Sequence, residues 1–259
     1  MPHTKSYPPG AFCWIELATS DQNAAKTFYT SLFDWDVVDN PIGPTEVYSI
    51  FKFQGVDSGA AYTMREDEKA MGIPPHWTLY VSTASADASA AHAAELGGKI
   101  LAPAFDVMEH GRMAVIQDPT GAVFCVWQAK QHHGLGIAGE PGTFCWADLS
   151  TPDVDKAKDF YVGLFGWKIS AGEKDTSGYL HIENGDAMIG GVPHSKYRNP
   201  SVPPHWMIYF MVSDCDASAA KAKELGGAIH MAPSTMEGVG RMAVMADGQG
   251  AVFALFQPA

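Results

Sequence analysis

The chain has 259 residues, and 46% of them are hydrophobic, which is enough to bury either one large core or two cores of ordinary size. Its formal net charge is −12, and because an acidic surface repels phosphate backbones, we do not expect nucleic acid to be a partner. Met1 to Gly10 contains no apolar leader stretch, no apolar run approaches the roughly 20 residues of a membrane helix, and the four cysteines show no Cys-x-x-Cys spacing, so we expect a cytoplasmic protein with no membrane partner.

The first half of the chain predicts a strand, a helix and three strands, and then the same order again. Phe12 to Thr19 has the pattern of a strand, and Asp21 is typical of the N-cap of a helix. Short strand signals follow near Val37 and at 47–53 and 59–64. The second series consists of a strand at 76–83, a helix at 86–96 that stops at Gly97-Gly98, and strands at 100–101, 112–116 and 123–127.

This series of motifs occurs twice, at a spacing of about 130 residues and in the same order. An ordered set of matches indicates an internal duplication. The Gly- and His-bearing stretch between the copies has the composition of a linker. The matching motifs include Phe12-Cys13-Trp14 with Phe144-Cys145-Trp146, Pro75-His76-Trp77 with Pro204-His205-Trp206, and Gly111-Arg112-Met113-Ala114-Val115 with the segment 240–244.

The helix motif Phe28-Tyr29-x-x-Leu32-Phe33-x-Trp35 and the turn Asp118-Pro119-Thr120-Gly121 complete a pattern that covers nearly the whole chain. The pattern resembles the glyoxalase/bleomycin-resistance/extradiol dioxygenase (vicinal oxygen chelate) superfamily. The resemblance implies an α+β fold of four βαβββ modules, which form two tandem domains with cup-shaped mixed sheets. We therefore expect domains at 1–130 and 143–259, joined by a linker at 131–142.

Alternation along the strands sorts the side chains into a packed face and a cup face. On the first strand, Trp14 and Glu16 are expected to face the cup, as Trp146 and Asp148 do in the second copy. The fifth and last strands add further side chains to the cups. These are His76, Thr78, Tyr80, Cys125 and Trp127 in the first copy, and His205, Met207 and Tyr209 in the second.

Metal-dependent members of the resembled superfamily take His and Glu ligands from the first, fourth, fifth and eighth strands. Alignment on Phe28-Tyr29 places Trp14, Thr78 and Cys125 at three of these positions. The second copy offers Trp146, Met207 and Ala254. Because transition-metal sites require carboxylate or imidazole ligands, we expect no metal and no other cofactor.

Glu16, Tyr80 and His76 are the candidate catalytic residues. A carboxylate among aromatic side chains is desolvated, and the resulting rise in its pKa suits acid/base chemistry. The candidate ligand-binding residues include Arg112 and Arg241, for which ion pairs with Glu16 and Asp148 are the structural alternative. The full binding set is Trp14, Thr78, Arg112, Cys125, Trp127, Trp146, Asp148, Met207, Tyr209 and Arg241.

The preferred interpretation is a protein that binds a small aromatic or hydrophobic molecule in a metal-free cup. The first alternative is an enzyme, of the lyase, isomerase or hydroxylase-like kind, that uses Glu16 as its acid/base. The second is a metal-dependent glyoxalase or dioxygenase with non-standard ligands, and in a further alternative one domain is purely structural. Because each copy carries both modules of a cup, either a monomer or a homodimer is compatible with the sequence.

Overall fold

A computed structural model of the protein describes residues 6–172 and 176–259, so small parts of both predicted domains lie outside the described residues. The first copy of the duplication forms one eight-stranded mixed sheet with three helices. Its elements are β1 (Phe12–Thr19), α1 (Gln22–Phe33), β2 (Asp36–Pro41), β3 (Val47–Phe53), β4 (Val56–Thr63), α2 (Glu66–Ala70), β5 (His76–Ser82), α3 (Ala86–Glu95), β6 (Lys99–Val107), β7 (Gly111–Gln117) and β8 (Val123–Ala129).

The second copy forms a second sheet with the same succession of elements. A short 3-10 helix, Ser195–Tyr197, stands where the first copy has α2. The other elements are β9 (Phe144–Ser150), α4 (Val154–Phe165), β10 (Lys168–Ala171), β11 (Leu180–Asn184), β12 (Ala187–Val192), β13 (His205–Met211), α5 (Cys215–Glu224), β14 (Ala228–Met236), β15 (Gly240–Ala246) and β16 (Val252–Pro258).

The strand orders are β2-β3-β4-β1-β5-β8-β7-β6 and β10-β11-β12-β9-β13-β16-β15-β14. Each sheet therefore consists of two βαβββ modules joined along β1–β5 or β9–β13, as the sequence predicted. Strand β1 runs parallel to β4 and antiparallel to β5, and its register sets Glu16 beside Ala60 on one side and Thr78 on the other. Side chains of the central strands β4, β1, β5 and β8 therefore lie close together at the centre of the first sheet.

The start of α1 follows the predicted capping pattern. The Asp21 side chain accepts a hydrogen bond from the backbone N–H of Ala24 at 3.0 Å, which satisfies a donor that the helix leaves free. The helix α2 and the full length of β6 were not predicted. Strand β6 pairs with β7 through two register shifts, and these interrupt the alternation by which a long strand is recognised.

The long helices α1, α3, α4 and α5 pack on one face of each sheet and leave the other face open as a cup, and the short α2 lies at the mouth of the first cup. Cys13, Ile15 and Leu17 are fully buried under the helices, as their alternation predicted. The helix-packed faces of the two sheets meet in one hydrophobic core that runs through both copies. For example, Phe33 of α1 packs against Phe210 of the second sheet in a tilted arrangement with ring centroids 4.7 Å apart.

Two buried hydrogen-bond chains cross this shared core. Trp77 Nε1 donates to the Tyr29 hydroxyl at 3.0 Å, and Tyr29 donates in turn to Asp247 of the second copy at 3.1 Å. The mirrored chain runs from Trp206 through Tyr161 to Asp118 of the first copy, with both bonds at 3.0 Å. Each carboxylate also accepts backbone N–H groups of its own turn, so the chains tie the helix of one copy to a turn of the other.

The segment 131–142 that joins the two sheets packs against the first one. Leu135 is buried, and its N–H donates to the Cys13 carbonyl at 2.8 Å. Gly136 N–H donates to the Asp57 carbonyl at 2.7 Å. The connection is therefore held in place along the edge of the first cup.

We expect Tyr29→Phe to lower the free energy of unfolding by about 1–3 kcal/mol, because it removes the bond to Asp247 and leaves buried polar groups without a partner. Tyr161→Phe is expected to act in the same way. Urea denaturation followed by tryptophan fluorescence measures the change, with Tyr197→Phe as the control because Tyr197 is 65% exposed. Unfolding of Tyr29→Phe at the wild-type midpoint would contradict this role of the hydrogen-bond chain.

Candidate functional site

The centre of the first cup holds a carboxylate bound by two tyrosines. The Tyr80 hydroxyl donates to Glu16 Oε1 at 2.8 Å, and the Tyr48 hydroxyl donates to Glu16 Oε2 at 2.6 Å. Trp14 Nε1 donates to the Tyr48 oxygen at 3.1 Å and so fixes the direction of that hydroxyl. Both carboxylate oxygens are thus held in place by donors from β3 and β5.

The second cup repeats the arrangement with an aspartate. The Tyr209 hydroxyl donates to Asp148 Oδ2 at 2.8 Å, while the Tyr179 hydroxyl at 2.6 Å and Trp146 Nε1 at 3.0 Å both donate to Oδ1. Gly191 lies beside Asp148 in the sheet, and a Cβ at this position would lie 1.9 Å from the Tyr179 oxygen. The missing side chain therefore makes room for Tyr179 to reach the carboxylate.

Burial controls the protonation of both carboxyl groups. Desolvation raises the pKa of Glu16 above its ordinary value of 4.5, and the bonds from Tyr48 and Tyr80 oppose this rise only in part. Desolvation likewise raises the pKa of Asp148 against the bonds from Tyr179 and Tyr209. Each cup thus holds a carboxyl group that is easier to protonate than an exposed one and is suited to acid/base or hydrogen-bonding chemistry.

The two cups share one cavity of about 2370 Å³, lined by residues of both copies. Of the predicted site residues, Glu16, His76, Thr78, Tyr80 and Cys125 line it in the first cup, and Asp148, Met207 and Tyr209 line it in the second. Apolar side chains form the walls. They include Met113, Val115 and Val123 in the first cup and Met231, Val244 and Val252 in the second.

His76 and His205 stand at the edges of the cups and are held by their own loops. Nδ1 of His76 lies 2.8 Å from the Pro74 carbonyl, and Nδ1 of His205 lies 2.9 Å from the Pro203 carbonyl. Neither contact links a histidine to Glu16 or Asp148. The structure thus brings Tyr80 to Glu16 but joins His76 to the entry of its strand.

Cys125 lies next to Tyr80 in the sheet, where burial raises the pKa of its thiol. A thiol in such a setting stays protonated and is a poor nucleophile. Its place in the cup is therefore that of a small apolar wall residue.

The three predicted tryptophans lie beside the cavity and do not line it, which corrects the expectation that they form walls for a ligand. Trp14 is 4% exposed and meets the His132 ring edge-on at 4.5 Å between centroids. Trp127 donates its Nε1 hydrogen to the His132 carbonyl at 2.9 Å. The joining segment covers both rings, and Trp146 is occupied by Asp148 and Tyr179.

The expectation that Arg112 and Arg241 bind ligand is wrong, because both side chains point to the helix side of their sheets. Arg112 Nε pairs with Asp87 of α3 at 2.7 Å, and Arg241 pairs with Asp216 of α5. The alternative, that they pair with Glu16 and Asp148, is wrong for the same reason. Met113 and Val115 line the cavity, so alternation along β7 places Arg112 on the opposite, helix-packed face. The same alternation along β15 places Arg241 on the helix-packed face of the second sheet.

The sequence analysis did not identify Tyr48 or Tyr179 as site residues. A signal for Tyr48 was present, because Ser49 and Phe51 are fully buried on the helix side and alternation then places Tyr48 on the cup side. Tyr179 precedes its strand and follows a loop, so no strand alternation indicated its direction. His132 of the joining segment lies against Trp14 and Trp127.

A sequence profile of the Glyoxalase/Bleomycin resistance protein/Dioxygenase superfamily matches residues 11–126 and 143–255. The chain belongs to this superfamily. It is 40% identical over 265 residues to the protein named "Putative glyoxylase CFP32" of Mycobacterium tuberculosis, covering 100% of this chain and 99% of that one. It is 33% identical to the anthracycline biosynthesis protein DnrV of Streptomyces peucetius, covering 97% of this chain and 94% of that one.

Solved structures of the superfamily share the fold at low sequence identity. A Mn(II)-bound glyoxalase from Novosphingobium aromaticivorans superposes with a TM-score of 0.66 at 16% identity, covering 96% of this chain and 82% of that chain. A variant of homoprotocatechuate 2,3-dioxygenase from B. fuscum gives a TM-score of 0.66 at 13% identity, covering 99% of this chain and 74% of that one. These superpositions establish the shared architecture of the two cups.

The residues of this chain do not fit the metal site of metal-dependent superfamily members. Trp14 Nε1 stands at the first-strand position as a hydrogen-bond donor, and donors of this kind do not bind metal ions. The two oxygens of Glu16 are engaged by tyrosine hydroxyls. Within the described ranges, no three His, Cys, Asp or Glu side chains are grouped as metal ligands, and no helix is long and apolar enough to cross a membrane.

We expect the stability of the protein to report the raised pKa of Glu16. Because the folded-state pKa lies above the ordinary 4.5, the protonated group favours the folded state, and this advantage is lost as the pH rises through the folded pKa. Relative to Glu16→Gln, the wild type should thus lose unfolding free energy as the pH increases above about 4.5. Urea denaturation across pH 4.5–8 measures the difference, with the exposed Glu224→Gln as control, and a difference independent of pH would contradict the burial argument.

Proposed function

We propose that the protein binds a planar aromatic molecule with hydroxyl or keto groups in its metal-free cups. The observation that carries this proposal is the carboxylate with two tyrosines at the centre of each apolar-walled cup. Small-molecule sites are built in this way, with apolar walls that supply affinity and a few polar groups that fix orientation. The tyrosine hydroxyls and the carboxyl group offer both donors and acceptors to a phenol or a ketone.

The relative from Streptomyces peucetius is named an anthracycline biosynthesis protein, and its similarity covers both cups. Anthracyclines are planar polycyclic compounds with hydroxyl and keto groups. This name supports a ligand of the same general shape for the present chain. The shared cavity, with a volume of about 2370 Å³, has space for a polycyclic ring system in each cup.

All four cysteines are free, which supports the proposal that the protein works in the reducing cytoplasm. Each cup draws its carboxylate and both tyrosines from a single chain. We infer that one chain suffices for binding, whether it acts as a monomer or as a homodimer. Its proposed partner is the small molecule, and neither nucleic acid nor a membrane is proposed.

We expect wild-type protein to bind 1,8-dihydroxyanthraquinone at two sites, as measured by isothermal titration calorimetry. Val115→Trp and Val244→Trp each place a large ring on the wall of one cup and should each reduce the stoichiometry from two to one. Val38→Trp is the matched control, because Val38 is 43% exposed and lies outside the cavity. Absence of saturable binding, or binding that survives both cup substitutions combined, would overturn the proposal.

A second candidate function is proton transfer by Glu16, and the specific observation that favours it is the pKa raised by burial. A base of this kind removes a proton from carbon next to a carbonyl group, and its efficiency rises as its pKa approaches the working pH. One of the two tyrosines would then turn its hydroxyl from Glu16 to the ligand carbonyl. Tyr48 and Tyr80 are both in reach of the same carboxylate, so either one can serve while the other holds Glu16.

This second function predicts exchange of the α-hydrogens of 2-tetralone in D2O, followed by proton NMR. Glu16→Gln should reduce the enzymatic rate by at least about 100-fold while the affinity for 2-tetralone changes little. Asp148→Asn is the matched variant in the other cup. Exchange at the buffer rate in the wild type, or an unchanged rate in Glu16→Gln, would leave binding as the function.

A further inference from the structure

The loops that join the fourth and fifth strands of the two copies line the mouths of the cups and carry opposite formal charge. These loops span 64–75 in the first cup and 193–204 in the second. The first connection has two basic and three acidic residues, a formal charge of −1. The second has two basic residues and no acidic one, a formal charge of +2.

The arginine at the mouth of the first cup is neutralised by its own loop. Arg65 Nε lies 3.1 Å from Asp67, and Arg65 Nη2 lies 3.4 Å from Glu68. Its guanidinium therefore faces the cavity already paired. A ligand gains little from such a group, since it would have to displace the carboxylates first.

Among the residues that the structure describes, the arginine at the mouth of the second cup has no such partner. Arg198 lines the cavity, and across 6–172 and 176–259 no carboxylate lies within 4.0 Å of it. Its Nη2 donates to the carbonyl of Val202, a neutral acceptor in the same loop. Its Nε is buried and has no hydrogen-bond partner among the described residues. An unmatched buried donor on a charged group is rare, and it indicates a place for an anionic acceptor.

The neighbours of Arg198 leave its charge uncompensated. His205 lines the same mouth, and desolvation, helped by the positive charge of Arg198, lowers the pKa of this histidine, so its ring is neutral at physiological pH. Asp148 is the acid of the second cup, and both of its oxygens accept hydrogen bonds from the cup's own tyrosines. The second cup thus combines a polar centre, apolar walls and, at its opening, a cation that pairs with no carboxylate of the described residues.

We propose that the second cup binds an aromatic carboxylate, with its ring against Met207, Val244 and Val252 and its carboxylate paired with Arg198. This inference rests on the proposed function and adds the ligand class of one of the two cups. A guanidinium matches a planar carboxylate through two parallel hydrogen bonds, and this pairing is stronger than one between neutral groups. The first cup has a mouth loop that is acidic and internally paired. It accepts a neutral molecule with the same kind of ring system instead.

The test compares two probes that share the anthraquinone ring system and differ in the group at position 2, the anionic anthraquinone-2-carboxylate and the neutral 2-(hydroxymethyl)anthraquinone. Calorimetric titration is done on the Val115→Trp protein, so that only the second cup is open. We expect the carboxylate to bind at least about 10-fold more tightly than the alcohol. Arg198→Gln should abolish this preference and leave the alcohol affinity within about twofold, and raising NaCl from 50 to 500 mM should weaken carboxylate binding only when Arg198 is present.

Arg112→Gln is the matched control, because it removes the same charge from a side chain outside the cavity. Equal affinity of the two probes for the second cup, an unchanged preference in Arg198→Gln, or an equal loss in Arg112→Gln would overturn this inference while the proposed function stands. If neither probe binds the wild-type protein, the proposed function fails and this inference falls with it.

Discussion

The fold depends on one shared core in which each copy of the duplicated unit covers the other. The helix-packed faces of both sheets meet there, and the chains Trp77–Tyr29–Asp247 and Trp206–Tyr161–Asp118 cross it in opposite directions. A buried hydroxyl–carboxylate bond is favourable only when both partners are in place, so it couples correct packing of one copy to correct packing of the other. Because this core buries one face of each sheet, the other face is free to form a cup.

The polar groups of each cup lie on the sheet face that the shared core leaves open. Central strands bring Glu16 and Asp148 to the middle of an apolar surface, where desolvation raises their pKa and would be costly without the paired tyrosines. In metal-dependent members of the superfamily this part of the cup holds the side chains that bind the metal ion. Here the space is occupied by indole and phenol groups that hydrogen-bond to one another and to the carboxylate. The same scaffold thus carries a hydrogen-bonded polar cluster in place of a set of metal ligands.

The duplication kept the polar centre and changed its surroundings. The second copy has the shorter Asp148 where the first has Glu16, and Gly191 makes room for a tyrosine that reaches the carboxylate from a loop instead of from β3. The loops at the mouths diverged further, from a helix with paired charges to a basic turn around Arg198. One chain therefore presents two cups of common construction whose mouth loops differ in formal charge.

The sequence by itself determined the duplication, the order of strands and helices, the superfamily and the strand faces that carry Glu16, Tyr80 and Asp148, because these follow from local periodicity and from motifs that recur in order. Tertiary structure decided which polar groups meet. Tyr48 and Tyr179 reach the carboxylates from separate elements, Arg112 and Arg241 turn to aspartates on helices, and the joining segment covers Trp14 and Trp127. Such contacts depend on the curvature of the sheet and the path of loops, and neither leaves a periodic signal in the chain.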